Sequence, residues 1–143
     1  MLQSGIYPKQ SINLFKTING IYQNLTDKNI GAVFTFIGIS KETSTVGIKA
    51  VKSVTIESYK EEADRIIQKI CEEIKQTFSL KHIIIIHLEG DFVPSEPIVC
   101  VVIAAQSRSN AIQALENAIS RYKTEPPIFK KENYIDGTSN WVA

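Results

Sequence analysis

Lys123 and Lys130 stand seven residues apart in the run Lys123-Thr124-Glu125-Pro126-Pro127-Ile128-Phe129-Lys130-Lys131-Glu132. A free lysine has a pKa near ~10.4 and is an ammonium at neutral pH. A second ammonium nearby, or burial, lowers that value and makes the amine a better proton donor or nucleophile. Two such lysines at one pocket can divide the work, one binding a phosphate or carboxylate and the other handling protons. The Pro-Pro break fixes φ and restricts the residue before it, so the two cannot share a continuous helix. Lys123 is expected to end a helix and Lys130 to sit on the following strand, with a short rigid turn bringing both to one pocket. Along that strand Lys131 points to the opposite face, and Glu132 returns to the Lys130 face, where it would orient the amine. The same residues also fit a basic helix end and a solvated strand edge, because lysines favour both places.

Further candidates lie at element junctions. Arg108 follows an apolar strand and opens a helix, a place where free N–H groups and a guanidinium fork together suit an anion. Ser107 precedes it. An exposed arginine in the polar stretch Gln106-Ser107-Arg108-Ser109-Asn110 fits the sequence as well. Lys41 opens a polar loop and would alone be a solvated charge. His82 and His87 flank a strand with no partner cluster, and Cys71 and Cys100 fall in apolar patterns as small buried hydrophobes. No zinc, redox, GxSxG, HExxH or phosphate-loop pattern occurs, so neither a metal nor a cofactor is expected.

The elements that must position these residues follow from periodicity. Apolar positions from Leu14 to Leu25 recur at helical spacing behind Ser11, a candidate N-cap, and residues 1–9 are expected to be loosely ordered. Gly31–Ile39 is β-branched and aromatic and predicts a buried strand. Ser40–Gly47 is a polar loop. Ile48–Glu57 alternates, with Ile48, Ala50, Val54 and Ile56 on one face, and would form a hairpin with the preceding strand. Residues 59–78 carry one apolar stripe, from Tyr59 to Phe78, with Glu61 and Glu62 at the positive end of the helix dipole. Four consecutive isoleucines within Lys81–Leu88 predict a strand buried on both faces. Gly90–Pro97 is a loop, and Pro97–Ala105 a second buried strand. A helix capped by Ser107 or Ser109 runs to Pro126 with Ala111, Ile112, Leu115, Ala118, Ile119 and Tyr122 inward. Pro127–Tyr134 is extended, and Asp136-Gly137 turns it into a C-terminal hairpin. Paired strands between helices predict an α+β two-layer sandwich with a mixed or antiparallel sheet and three main helices.

The 143 residues make a single domain, 1–143, long enough for a real core. Sixteen basic residues nearly balance fifteen acidic ones, which argues against wholesale binding to nucleic acid or membrane while leaving room for a local basic pocket. The chain has neither a membrane-length apolar run nor a signal-peptide pattern, so a cytoplasmic protein is expected.

From about Gly31 to Val142 the chain resembles the large, catalytic subunit of molybdopterin synthase. The residues that carry the resemblance are Gly31-Ala32-Val33-Phe34-Thr35-Phe36-Ile37-Gly38, the Lys123–Glu132 run, Asp136-Gly137 and Trp141-Val142. The family's lysine segment reads K-T-x-x-P-[aromatic or aliphatic]-W-K-[KR]-E, and Phe129 stands here for the tryptophan. The resemblance implies an α/β-hammerhead-like fold and a sulfur-transfer enzyme of molybdenum-cofactor biosynthesis. In that family a ubiquitin-like carrier with a thiocarboxylated Gly-Gly tail delivers sulfur to cyclic pyranopterin monophosphate and so forms the dithiolene of molybdopterin. It also implies a homodimer at the core of a heterotetramer. Carried over by position, Lys123 and Lys130 are catalytic, and Lys41, Ser107, Arg108, Lys131 and Glu132 bind substrate. Lys41 stands where the family usually has arginine, Ser107 where it commonly has histidine, and Leu88 where it commonly has arginine. A weakened paralogue that docks the carrier without turnover is the alternative reading. An RNA-binding domain is a third, disfavoured by the neutral charge and the lack of stacking aromatics.

Overall fold

The isoleucine run lies in the first half of a long strand that pairs with three others in the sheet. The computed structural model describes residues 2–142. In chain order the elements are β1 (Gly5–Pro8), α1 (Leu14–Gln23), β2 (Ala32–Ile39), β3 (Val51–Ser58), α2 (Lys60–Thr77), β4 (His82–Phe92), β5 (Pro97–Ala105), α3 (Arg108–Thr124), β6 (Ile128–Tyr134) and β7 (Ser139–Val142). The strands form one seven-stranded sheet in the order β2-β5-β4-β3-β6-β7, with β1 paired to β4 off this path. Residues 82–87 of β4 pair with β5, residues 86–89 run parallel to β1, and residues 90–92 pair with β3. Gly90, at φ +133°, marks the change of partner in a conformation that side-chain-bearing residues rarely adopt.

Alternation along β4 fills two cores. Ile83 and Ile85 pack with Ile67, Ile70 and Ile74 of α2 and with Ala111, Ala114 and Ala118 of α3. Ile84 and Ile86 pack on the other face with Leu14, Ile18 and Ile21 of α1 and with Phe92. Ile85 and Ile86 are both 0% exposed, and each contributes roughly 1.5–3 kcal/mol by its burial. Alanines on α3 let that helix approach the sheet closely. The expected α+β fold, with its mixed sheet, three helices and C-terminal hairpin, is therefore found; α1 covers the second face of the sheet.

Several local expectations change. Residues 5–8 are ordered as β1, with Ile6 buried and its N–H donating to Asp64 Oδ1 at 2.7 Å. Asn13, not Ser11, caps α1, accepting from Lys16 N at 3.0 Å, while Ser11 Oγ donates to Pro8 O. β2 makes no hairpin with β3. It pairs antiparallel with β5 along its length and forms a half-buried edge of the sheet. A register shift between Val51 and Ser53 puts Val51 on the buried face with Val54 and Ile56, which leaves Ile48 and Ala50 exposed in the loop. β4 runs through Gly90 to Phe92, so the β4–β5 turn is confined to residues 93–96. Tyr59 and Ile112, both expected inward, are exposed.

Candidate active site

The proline break works as the sequence predicts. α3 ends at Thr124, and Ile128 N donates to Pro126 O at 2.8 Å in the turn that opens β6. Arg121 secures the helix end by donating to Glu125 and to Glu73 of α2. The pleat of β6 then sends Lys130 and Glu132 to one side and Lys131 to the other, where its Nζ lies 5.4 Å from the Trp141 ring centroid. Lys123 and Lys130 meet at a cavity of about 340 Å³, together with Lys41, Ser40, Thr43 and Thr45 from the end of β2 and the loop after it. An adjoining groove of about 240 Å³ shares both lysines and is otherwise largely apolar, walled by Phe36, Ile98, Tyr122 and Ile128. Gly38 lets the Val99 side chain pack directly against the backbone of this wall: a Cβ there would come within 2.6 Å of Val99 Cγ1.

Charge is arranged unevenly around the cavity. Burial lowers the pKa of Lys130; Glu132 opposes that shift, and the ammonium groups of Lys41 and Lys123 add to it. Glu132 is 2% exposed. Its carboxylate accepts from Ser44 Oγ at 2.7 Å, Thr45 N at 2.9 Å, Thr45 Oγ1 at 2.7 Å and Tyr134 OH at 3.0 Å. Burial alone would raise its pKa, but these donors outweigh it and hold the carboxyl at about 2. None of the four donors is Lys130, so Glu132 acts on that lysine through charge and through the loop it holds.

His87 is a component that the sequence reading left without a role. It lines the groove beside Lys123 and Lys130. Its Nδ1 lies 2.9 Å from Leu88 O, which assigns the proton to Nδ1 and leaves Nε2 as an acceptor. Burial pulls its pKa down to about 4, so the ring is neutral at physiological pH. Its neighbourhood comes from the β4–β5 register, in which His87 faces Val99, and no local pattern announces that register.

The remaining candidates lie elsewhere. Ser107 occupies the N-cap position of α3 without a side-chain cap bond, and Arg108 follows it at the helix start. Fifteen residues at ~1.5 Å each put Arg108 about 22 Å along the helix from Lys123. Leu88 is a core residue, 3% exposed. Cys71 and Cys100 are buried, and desolvation pushes their thiols up to about 11 and about 12. Among the described residues no group of three or more His, Cys, Asp or Glu is placed to hold a metal, and no helix is long and apolar enough to cross a membrane.

The family model described as MoaE protein matches residues 13–125, from the N-cap of α1 to the C-cap of α3. The molybdopterin synthase catalytic subunit of Rattus norvegicus is 30% identical over 125 residues, covering 87% of this chain and 62% of that protein. This chain therefore spans less than two thirds of the rat protein's length. The crystal structure of molybdopterin synthase from Staphylococcus aureus superposes with a TM-score of 0.84 at 26% identity, covering 100% of this chain and 98% of that one. A chain from a protein–protein complex of subunits 1 and 2 of the molybdopterin-converting factor of Helicobacter pylori shares the fold, with a TM-score of 0.74 at 18% identity over 99% of this chain and 87% of that one. With the matched span running from the first helix cap to the last, this chain belongs to the MoaE protein family.

Proposed function

We propose that the protein is a molybdopterin synthase catalytic subunit, moving sulfur from a thiocarboxylated ubiquitin-like carrier to cyclic pyranopterin monophosphate. The observation that carries this reading is the convergence of Lys41, Lys123 and Lys130, from three separate parts of the fold, on one cavity. Three ammonium groups suit an anionic substrate, and a largely apolar groove leads to them. A Gly-Gly tail, which carries no side chains, suits a groove of about 240 Å³ with largely apolar walls that ends at the two lysines. In this reading the tail lies in the groove with its terminal thiocarboxylate at Lys123. The thiocarboxylate sulfur attacks a pterin carbon and displaces an oxygen, and Lys123 stabilises the negative charge that develops or protonates the leaving oxygen. Water then cleaves the acyl–sulfur bond, leaving sulfur on the pterin and a carboxylate on the carrier. Lys130 and Lys41 hold the pterin or its phosphate. A bound anion favours the charged form of Lys130 that burial disfavours, so substrate relieves an electrostatic cost already present in the free protein.

Ser107 and Arg108 cannot reach the same cavity from the far end of α3. They would serve it from a second copy of the chain, which agrees with the homodimer core that the resemblance implies and with the free apolar edge of β2. The carrier, the second copy and the pterin are the partners, in a cytoplasmic setting, with no nucleic acid or membrane involved.

A single-turnover assay tests the reading. The protein is mixed with a thiocarboxylated Gly-Gly carrier and the cyclic pterin, and the dithiolene is detected as its oxidised fluorescent derivative. Product from wild type, and a loss of about 100-fold in both Lys123→Ala and Lys130→Ala, is the expected result. Tight carrier binding without product would instead identify a docking paralogue, with Ser107 and Leu88 as the positions to revert.

A further inference from the structure

The loop between β2 and β3 is exposed at residues 41–43 and 45–50, and Ser44 alone among them is buried. Three of the four hydrogen bonds on the Glu132 carboxylate come from Ser44 and Thr45. Ser44 Oγ also accepts from Val46 N at 3.2 Å and Gly47 N at 3.1 Å, tying the tip of the loop to the same anchor. On the other side of Lys41, Ser40 N donates to Glu96 O at 2.9 Å and Ser95 N to Ser40 O at 2.8 Å. Lys41 is thus held between two fixed points. One is the β4–β5 turn, and the other is a carboxylate two residues from Lys130 on the same face of β6.

We propose that Ser44 and Thr45 are positioning residues: by docking on buried Glu132 they register the loop against β6, so that Lys41 faces Lys130 across the anion cavity. The proposal rests on the function above only for what the cavity binds. The clamp explains why no ammonium group of the pocket is hydrogen-bonded to the Glu132 carboxylate, although its charge still acts on Lys130. Its lone pairs are committed to two loop hydroxyls, a loop amide and the Tyr134 hydroxyl, and the hydrogen-bonding protons of the ammonium groups stay available to an anion. The charged groups around Lys130 are Glu132, Lys41 and Lys123, and the nearby His87 is neutral.

The test is a cycle of Thr45→Val and Lys41→Ala, singly and together, with Thr45→Ser as the conservative control and Ser44→Ala as a second probe of the clamp. Two readouts are used. In the single-turnover assay extended to steady state, Thr45→Val is expected to raise KM for the pterin roughly tenfold with a smaller change in kcat, the loss typical of a hydrogen bond to a charged group. Thr45→Ser should behave as wild type, and Thr45→Val should add nothing to Lys41→Ala. The second readout needs neither carrier nor pterin: acylation of Lys130 is followed by mass spectrometry across a pH series. Its midpoint should move upward in Thr45→Val and in Lys41→Ala, with no further movement in the double variant. Additive effects in the cycle, or a Thr45→Ser variant as impaired as Thr45→Val, would overturn the proposal. If Thr45→Val does not fold, Ser44→Ala carries the same cycle. If wild type makes no product, the functional reading fails, and the acylation series still decides the clamp.

Discussion

Lys130 and Lys131 are adjacent, identical in type, and placed in opposite surroundings by the pleat of one strand. Lys130 enters a cavity beside a buried carboxylate and two other ammonium groups, and burial lowers its pKa. Lys131 lies over Trp141 on the outer face, close to Phe129, which packs edge-on to Tyr59 at 5.6 Å between ring centroids. The inner face has desolvation, converging charge and a fixed partner loop. The outer face has solvent and a cation–π contact. Chemistry on β6 is therefore a property of the face, and a motif written as Lys-Lys-Glu conceals two different jobs.

The comparison breaks first in activity. Lys130→Ala should lower single-turnover product formation by about 100-fold, and Lys131→Ala should stay within about threefold of wild type in the same assay; equal losses would mean that the two faces are not functionally distinct. Stability gives the next largest contrast. Glu132→Gln strands loop donors on the inner face and should cost about 2–3 kcal/mol in denaturant unfolding. Its pH dependence has a defined sign: the folded-state pKa, about 2, lies below the ordinary carboxylate value, so its contribution is present above that ordinary value and is lost as pH falls toward 2. Wild type should therefore lose more stability than Glu132→Gln between about pH 5 and pH 2. On the outer face, Trp141→Ala should cost Lys131 its cation–π partner, worth roughly 0.5–1 kcal/mol when separated from lost packing by a double-mutant cycle. The smallest effect sharpens the contrast: Lys130→Met should raise Tm by about a degree, with the same loss of about 100-fold in activity as Lys130→Ala. The lowered folded-state pKa of Lys130 means that its charge opposes folding at neutral pH. That penalty fades as pH rises through the lowered value toward the unfolded one, so the difference in Tm should shrink in alkali.

How much of this was legible depended on how local the cause was. The Lys123–Lys130 meeting was readable because a proline turn of a few residues produces it. The inward Glu132 and outward Lys131 followed from alternation alone. Lys41 was readable as a site residue only through the family resemblance; its own surroundings read as a solvated loop charge, because its loop meets Glu132, 88 residues beyond Ser44, only in the folded chain. His87 was missed for the same reason: it reaches the groove through the β4–β5 register, in a stretch that reads simply as apolar strand. The β2–β3 hairpin failed because adjacent strands invite pairing, whereas β2 finds in β5 a partner matched along its length. Arg108 was placed correctly at a helix start, but the length of α3 carries it away from Lys123, and residue type carries no information about distance.

The parallel pairing of β1 with β4 has a consequence for the chain as it is made. Gly5 meets Ile86 and Pro8 meets Glu89, so β1 has no strand partner until β4 has been synthesised. At ~5–20 residues per second, β1 waits on the order of 4–16 s after leaving the ribosome before it can dock. Its buried isoleucine is open to chaperones throughout that interval, so a strand made early is locked in place only when its partner, made far later along the chain, arrives.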